Sequence, residues 1–210
     1  GFRTLRDWEA LSDSTVRRLQ RLERGGVALG HLPAHPPLIE ALDKYGIKVL
    51  FMIRDPRDML VSYVKYVTSI DVTHPAHRYF LDLPNDHSRL LAVINGVDGI
   101  VSPISVVLEK FSGWLDSGAM VIRFEDIIGP KGGGSKDKQL KVVYDIAEFL
   151  GIKIESGDAE KISSAIYSPR SITFRKAKVN SWQGVFEEEH IQALDVETVG
   201  LLKKYGYGVE

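Results

Sequence analysis

Val49-Leu50-Phe51-Met52-Ile53-Arg54-Asp55-Pro56-Arg57-Asp58 is the stretch from which the fold is read. Its continuous apolar run fits a strand buried on both faces, as in a parallel sheet. Charge follows at once, and then Met59, Leu60, Tyr63, Val64 and Val67 recur at helical spacing. Asp55 suits the N-cap, where a carboxylate takes a free helix N–H, and Pro56 suits the first helical position. The stretch reads as a strand–turn–helix junction. In open α/β sheets such junctions face ligands, because free N–H groups and the positive end of the helix dipole lie beyond the strand's carboxyl end. Arg54 at the strand end and Ser62 two turns into the helix could grip one phosphate from two sides. Each charge-assisted hydrogen bond there would contribute about 1.5–3 kcal/mol. The plainer alternative is a surface salt-bridge cluster of Arg54, Asp55, Arg57 and Asp58 around a helix cap.

Working outward, the same alternation continues. Trp8, Leu11, Leu19 and Leu22 lie at helical spacing, and Gly25-Gly26 ends that helix. Val27 to Leu29 is an apolar run too short for a helix and is expected to be a buried strand. Pro36-Pro37 opens a helix through Leu42 that stops at Gly46. Ser105 to Leu115 places Val107, Leu108, Phe111 and Trp114 on one helical face, and Ala119 to Ile122 reads as a second buried strand ending at Arg123-Phe124-Glu125-Asp126. Helices are expected over 139–150, 158–166 and 187–205. Short connections between alternating strands and helices predict an α/β fold: a central, mostly parallel sheet flanked by helices. One domain over residues 1–210 is expected.

Composition limits what such a chain can do. With 44% hydrophobic and 26% charged residues, the balance is that of a globular protein. Lysine plus arginine (27) against aspartate plus glutamate (28) leaves a net charge of -1, which excludes a nucleic-acid binder working through bulk charge. The absence of cysteine excludes disulfides, zinc ribbons and thiol catalysis, and it fits a cytoplasmic protein. No apolar run approaches the roughly 20 residues a membrane helix needs, so no membrane partner is expected.

Any positive site must then be local, and a second basic segment supplies one. Phe174-Arg175-Lys176-Ala177-Lys178-Val179-Asn180-Ser181-Trp182 sets three cations among apolar anchors. It has no helical or strand period and reads as an ordered loop, suited to cover a polyanionic ligand. A solvated basic loop pinned by Trp182 is the alternative.

These residues resemble the sulfotransferases that use 3′-phosphoadenosine 5′-phosphosulfate (PAPS). The junction Ile53-Arg54-Asp55-Pro56-Arg57-Asp58…Ser62-Tyr63 is similar to that family's 3′-phosphate motif. Phe174-Arg175-Lys176-Ala177, followed by Asn180-Ser181-Trp182 and Phe186, is similar to its late basic loop. Gly30-His31-Leu32-Pro33 resembles the segment carrying its catalytic histidine, and Phe124-Glu125-Asp126 its Tyr-Glu-Asp strand end. The four motifs stand in family order from His31 to Phe186. The resemblance implies the sulfotransferase fold, which is like that of P-loop nucleotide kinases. It implies PAPS as sulfuryl donor, PAP (adenosine 3′,5′-bisphosphate) as product, a small-molecule hydroxyl acceptor, and no metal. It assigns His31 as general base, and Arg54, Ser62, Phe124, Arg175, Lys176 and Ala177 to the nucleotide. An imidazole can take a hydroxyl proton near neutral pH, which suits that role; a histidine capping a turn before Pro33 is the alternative.

The sequence departs from the family in places. No Pro-Lys-Ser-Gly-Thr-Thr-Trp loop, which cradles the 5′-phosphosulfate in relatives, precedes His31. These residues are therefore expected to lack the N-terminal part of a longer protein, and a non-catalytic binding module that has lost half the donor site is the alternative. A nucleotide kinase of similar fold is a third reading. Ala177 replaces the loop glycine, Phe124 replaces tyrosine, and Gln183 to Glu188 does not match the dimer motif of eukaryotic cytosolic relatives. Residues 68–103 lose clear periodicity and would shape the acceptor pocket. His74, His77, Asp82 and His87 in that stretch carry only a loose metal spacing. Gly132-Gly133-Gly134 lacks the Lys-Ser or Lys-Thr of a phosphate loop and is expected to be a flexible connection.

Overall fold

A computed structural model describes residues 17, 19–167 and 178–208. Arg175, Lys176 and Ala177 lie outside the described residues, as does most of the helix expected before Gly25. Among the described residues, helix α1 (Pro36–Lys44) leads to strand β1 (Leu50–Ile53) and helix α2 (Pro56–Ser69). Helices α3 (His77–Asp82), α4 (Asp86–Asn95) and α5 (Ile104–Ser112) follow, then strand β2 (Met120–Arg123) with the short helix α6 (Phe124–Ile127). The chain continues through α7 (Lys136–Leu150), α8 (Ser156–Ile166), α9 (Glu188–Gln192) and α10 (Val196–Lys204). The two strands pair in parallel, Phe51 against Val121 and Ile53 against Arg123. The α/β class read from the sequence is the one observed.

A two-stranded parallel ribbon has too little surface to stand alone, and helices supply the rest. One core gathers Ile53, Leu60, Val64, Val67, Phe80, Leu90 and Leu202. Each fully buried side chain of this kind contributes about 1.5–3 kcal/mol. A smaller core joins Leu19, Leu38, Leu42 and Trp114. Phe51 packs against both, so β1 is the seam between them. No helix among the described residues is long and apolar enough to cross a membrane.

Five expectations need correction. Val27–Leu29 forms no strand; Val27 is 78% and Leu29 55% exposed, since no described strand lies alongside to take their backbone groups. Nor is β1 buried on both faces: Ile53 is buried, but Met52 is 56% exposed, because β1 pairs only with β2 among the described residues. The helix expected over 187–205 is two helices. Asp195 breaks it in an extended conformation and caps the second, accepting from the Thr198 N–H. Residues 68–103, without clear period in sequence, hold two helices, the second capped by Asn85 accepting from the Ser88 N–H. Finally, Gly132-Gly133-Gly134 is a folded turn rather than a loose connection. The Gly132 and Gly134 N–H groups both donate to the Gly129 carbonyl.

Candidate functional site

The junction forms as the sequence predicts. Asp55 caps α2, its carboxylate accepting from the Arg57 N–H at 2.9 Å, with Pro56 at the first helical position. The same carboxylate takes both ends of the Arg57 guanidinium, from Nε at 3.0 Å and Nη2 at 2.8 Å. Arg57 and Asp55 are both buried. Burying an ion pair costs several kcal/mol of hydration per ion, which only well-formed bonds can offset. Here the bidentate geometry and the indole face of Trp182, 3.8 Å from the guanidinium, supply them. Arg57 and Asp55 thus form the salt bridge of the plainer reading, but buried within the fold rather than at its surface.

Arg54 is differently placed. Its Nη2 donates to the Lys178 carbonyl at 2.8 Å and lies 3.7 Å from Asp58 Oδ2, while its guanidinium stands 4.6 Å from the Phe124 ring centre. Its Nε is buried and has no hydrogen-bond partner among the described residues. An unsatisfied buried donor is costly, and this one belongs to a cation at the carboxyl end of a parallel strand. Ser62, half-buried two turns into α2, has no side-chain hydrogen bond among the described residues.

Asp58 is the surprise of the junction. It is fully buried, yet its carboxylate does not cap its own helix. Its Oδ1 accepts from the Ser181 hydroxyl at 2.6 Å and from the Trp182 N–H at 2.9 Å, and its Oδ2 has no hydrogen-bond partner among the described residues. Charge-assisted bonds of this kind are worth about 1.5–3 kcal/mol each, enough to hold residues 178–182 against the start of α2. The Val179 N–H donates to the Gly132 carbonyl and fastens the same segment to the glycine turn. Gly129 makes that turn possible: at φ +71 and ψ -173 it occupies a region open only to glycine, and a Cβ there would sit 2.4 Å from the Gln139 side chain.

Glu125 ties the two strand ends together. Its carboxylate accepts from the Asp55 N–H at 2.8 Å and from the Tyr207 hydroxyl at 2.9 Å. Burial, with the Glu125 charge and the hydrogen bond to it, pushes the Tyr207 phenol well above its ordinary range, so it stays a donor. Arg123 lies 4.6 Å from the Tyr207 ring centre and donates to the Tyr205 and Gly206 carbonyls. Sequence reasoning quoted Asp58, Ser181 and Glu125 without giving them these partners. Tyr207 carried no signal at all.

His31 stands apart. It is exposed in a segment without regular structure, and no hydrogen bond or ion pair links it to Arg54, Ser62 or Phe124 among the described residues. Its neighbours are held: the Trp114 indole donates to the Leu32 carbonyl at 2.8 Å, and the Trp114 ring packs tilted against Phe51 of β1. The structure therefore brings together Arg54, Phe124 and the segment after Ala177, and it ties the neighbour of His31, Leu32, to β1 through Trp114.

The histidines of the middle region serve packing. The His74 Nδ1 accepts from the Ala76 N–H, and its Nε2 lies 3.4 Å from the Tyr63 hydroxyl. His77 Nδ1 meets the Val67 carbonyl at 2.7 Å, and His87 stands between Glu187 and Glu189. Among the described residues no group of three or more ligating side chains could hold a metal ion.

Comparison with known proteins gives this geometry its context. The crystal structure of mouse sulfotransferase SULT7A1 complexed with PAP superposes with a TM-score of 0.61 at 17% identity, covering 84% of this chain and 66% of that one. At that identity the likeness is one of fold. No curated protein matches the chain in sequence. The family described as the sulfotransferase domain matches residues 4–206, nearly the whole length. With that match and the shared fold, the chain belongs to the sulfotransferase domain family.

Proposed function

We propose that the chain, as one domain over residues 1–210, is a PAPS-dependent sulfotransferase domain. The reading is that Arg54 and Ser62 hold the 3′-phosphate of the nucleotide, with Arg175, Lys176 and Ala177 meeting it from the late loop and Phe124 beside it. The observation that carries this is the partly exposed Arg54 guanidinium at the end of β1, whose Nε has no hydrogen-bond partner among the described residues. His31 takes the proton of a small-molecule hydroxyl. The acceptor oxygen forms its bond to sulfur as the bond from sulfur to the 5′-phosphate breaks, and PAP leaves. Positioning and charge stabilisation do most of the work in such in-line transfers. The SULT7A1 structure was solved with PAP, which supports this choice of nucleotide.

Calorimetric titration with adenosine 3′,5′-bisphosphate and adenosine 5′-phosphate tests the nucleotide site. One or two charge-assisted bonds to the extra phosphate predict tighter binding of the bisphosphate by about tenfold to a few hundredfold. Arg54→Ala is expected to abolish that preference, and a wild-type chain with no preference would sink the reading. A second reading, a non-catalytic binding module, is favoured by the exposed His31, which has no bonded partner among the described residues. His31→Ala separates the two: lost sulfuryl transfer with nucleotide binding intact supports the enzyme, whereas a wild-type chain that binds without transferring supports the module.

A further inference from the structure

The site contains two buried polar atoms left without a hydrogen-bond partner among the described residues: Arg54 Nε and Asp58 Oδ2. They belong to residues one helical turn apart, and the Arg54 Nη2 to Asp58 Oδ2 separation of 3.7 Å is that of an ion pair without a formed hydrogen bond. Asp58 has no exposed surface, so its negative charge faces only protein. A carboxylate in that position needs a reason, because a nearby negative charge repels phosphate. Its bonded oxygen explains half of it, holding Ser181 and the Trp182 N–H. Those bonds fix residues 178–182, and the same segment offers the Lys178 carbonyl that takes Arg54 Nη2. The Arg54 guanidinium is thereby held on three sides: by Asp58, by the Lys178 carbonyl and by the Phe124 ring.

We propose that Asp58 is a positioning residue for nucleotide recognition. It locks the segment after the late loop onto the start of α2 and holds the Arg54 guanidinium so that its remaining N–H donors point to the 3′-phosphate. This rests on the nucleotide reading given above and adds a residue that the motif assignment leaves out. The sign of the effect separates it from simple electrostatics. If Asp58 acted only as a nearby charge, neutralising it would tighten the bisphosphate. If it positions Arg54, neutralising it loosens the bisphosphate even though a repulsive charge has gone.

The test uses Asp58→Asn, close to isosteric, and reads the ratio of dissociation constants for adenosine 5′-phosphate and adenosine 3′,5′-bisphosphate by calorimetry. A fall of that ratio by about tenfold is expected, corresponding to the loss of about one well-placed charge-assisted bond. Arg54→Ala with Asp58→Asn should bind no worse than Arg54→Ala alone, since the second residue acts through the first. Ser181→Ala keeps the charge and removes one of the two donors; a smaller fall of the same sign, about threefold, is expected by the same logic. A purely structural role would lower the melting temperature and weaken both nucleotides equally, leaving the ratio unchanged. An unchanged or increased ratio in Asp58→Asn, or additive losses in the double variant, overturns the proposal while the wild-type preference keeps the nucleotide reading intact. A wild-type chain with no preference overturns both. Should Asp58→Asn not fold by circular dichroism, Ser181→Ala against Arg54→Ala carries the same comparison, and an unchanged ratio there overturns the proposal.

Discussion

The segment from Ile53 to Ser62 and the segment from Gly30 to Ala34 both carry strong motifs, and they reach their places by different means. In the first, the helix cap is made locally and the rest is tied down from afar: Asp55 caps the helix and binds Arg57, while distant Glu125 takes the Asp55 N–H and Asp58 takes distant Ser181 and Trp182. In the second, the apolar run before it lies open at Val27 and Leu29, and the anchors are the Trp114 indole N–H on the Leu32 carbonyl and the Ala34 N–H on the Lys110 carbonyl. The contrast teaches that a helix cap can be specified by the residues that form it, whereas a strand exists only if another strand is beside it.

Two buried tryptophans give the sharpest way to break that comparison. Trp182→Ala and Trp114→Ala should each cost about 3–5 kcal/mol of stability in urea unfolding, as large-to-small core changes do. They should part on ligand binding. Trp182 lies against Arg57 and the Asp58 bond, so its loss is expected to weaken bisphosphate binding in whatever folded fraction remains. Trp114 touches Phe51 and the His31 segment, so its loss should leave the bisphosphate dissociation constant within about twofold. Equal weakening in both would show that the two segments act as one unit.

Gly129→Ala is next in size. The substitution forces an alanine into glycine-only backbone space and into Gln139, at an expected cost of about 1–3 kcal/mol by thermal or urea unfolding. Because the turn holds Val179, bisphosphate affinity should fall with it; a stability loss with unchanged affinity would separate the glycine turn from the site.

Acid titration should show a smaller effect, on the frame that supports the junction. Burial alone would raise the Asp86 carboxyl, but hydrogen bonds from Lys65 and Arg89 outweigh it and the net shift is downward. A lowered folded value means the unfolded chain binds more protons as pH falls, so this stability is present above the ordinary carboxylate range, near ~4, and is lost below it. Asp86→Asn should therefore flatten the fall in urea midpoint between about pH 5 and 3. A fall as steep as the wild type's would take Asp86 out of that role. The smallest effect belongs to the open segment: Val27→Ser is expected to change stability by less than about 0.5 kcal/mol. A loss above about 1 kcal/mol would mean the segment is packed after all.

The junction was legible because its signals are short-range. Five apolar residues, a capping aspartate, a proline and a helical period lie within one window, and the structure returns each of them. The failures share the opposite property. The helix expected over 187–205 breaks because Asp195 gains more by capping a second helix than by continuing the first. The middle region hid two helices because their buried faces, Phe80 on one and Leu90 with Val93 on the other, are too brief to set a period. In the site, Arg54 was found by its place at a strand end. The burial of Asp58 is not legible in sequence, because its partners Ser181 and Trp182 are more than a hundred residues away.

By itself, then, the order of residues determined the strand–turn–helix junction, the capping of its helix, the parallel pairing class and the family motifs in their sequence order. Those are properties of neighbours along the chain, where cap, proline and period act within a few residues. Only the tertiary structure decided which charges are buried, that Asp58 faces residues 178–182 rather than solvent, that Glu125 bridges Asp55 and Tyr207, and that β1 is covered on one side and open on the other. Burial and long-range hydrogen bonds depend on what the rest of the chain brings alongside, and no local pattern encodes that.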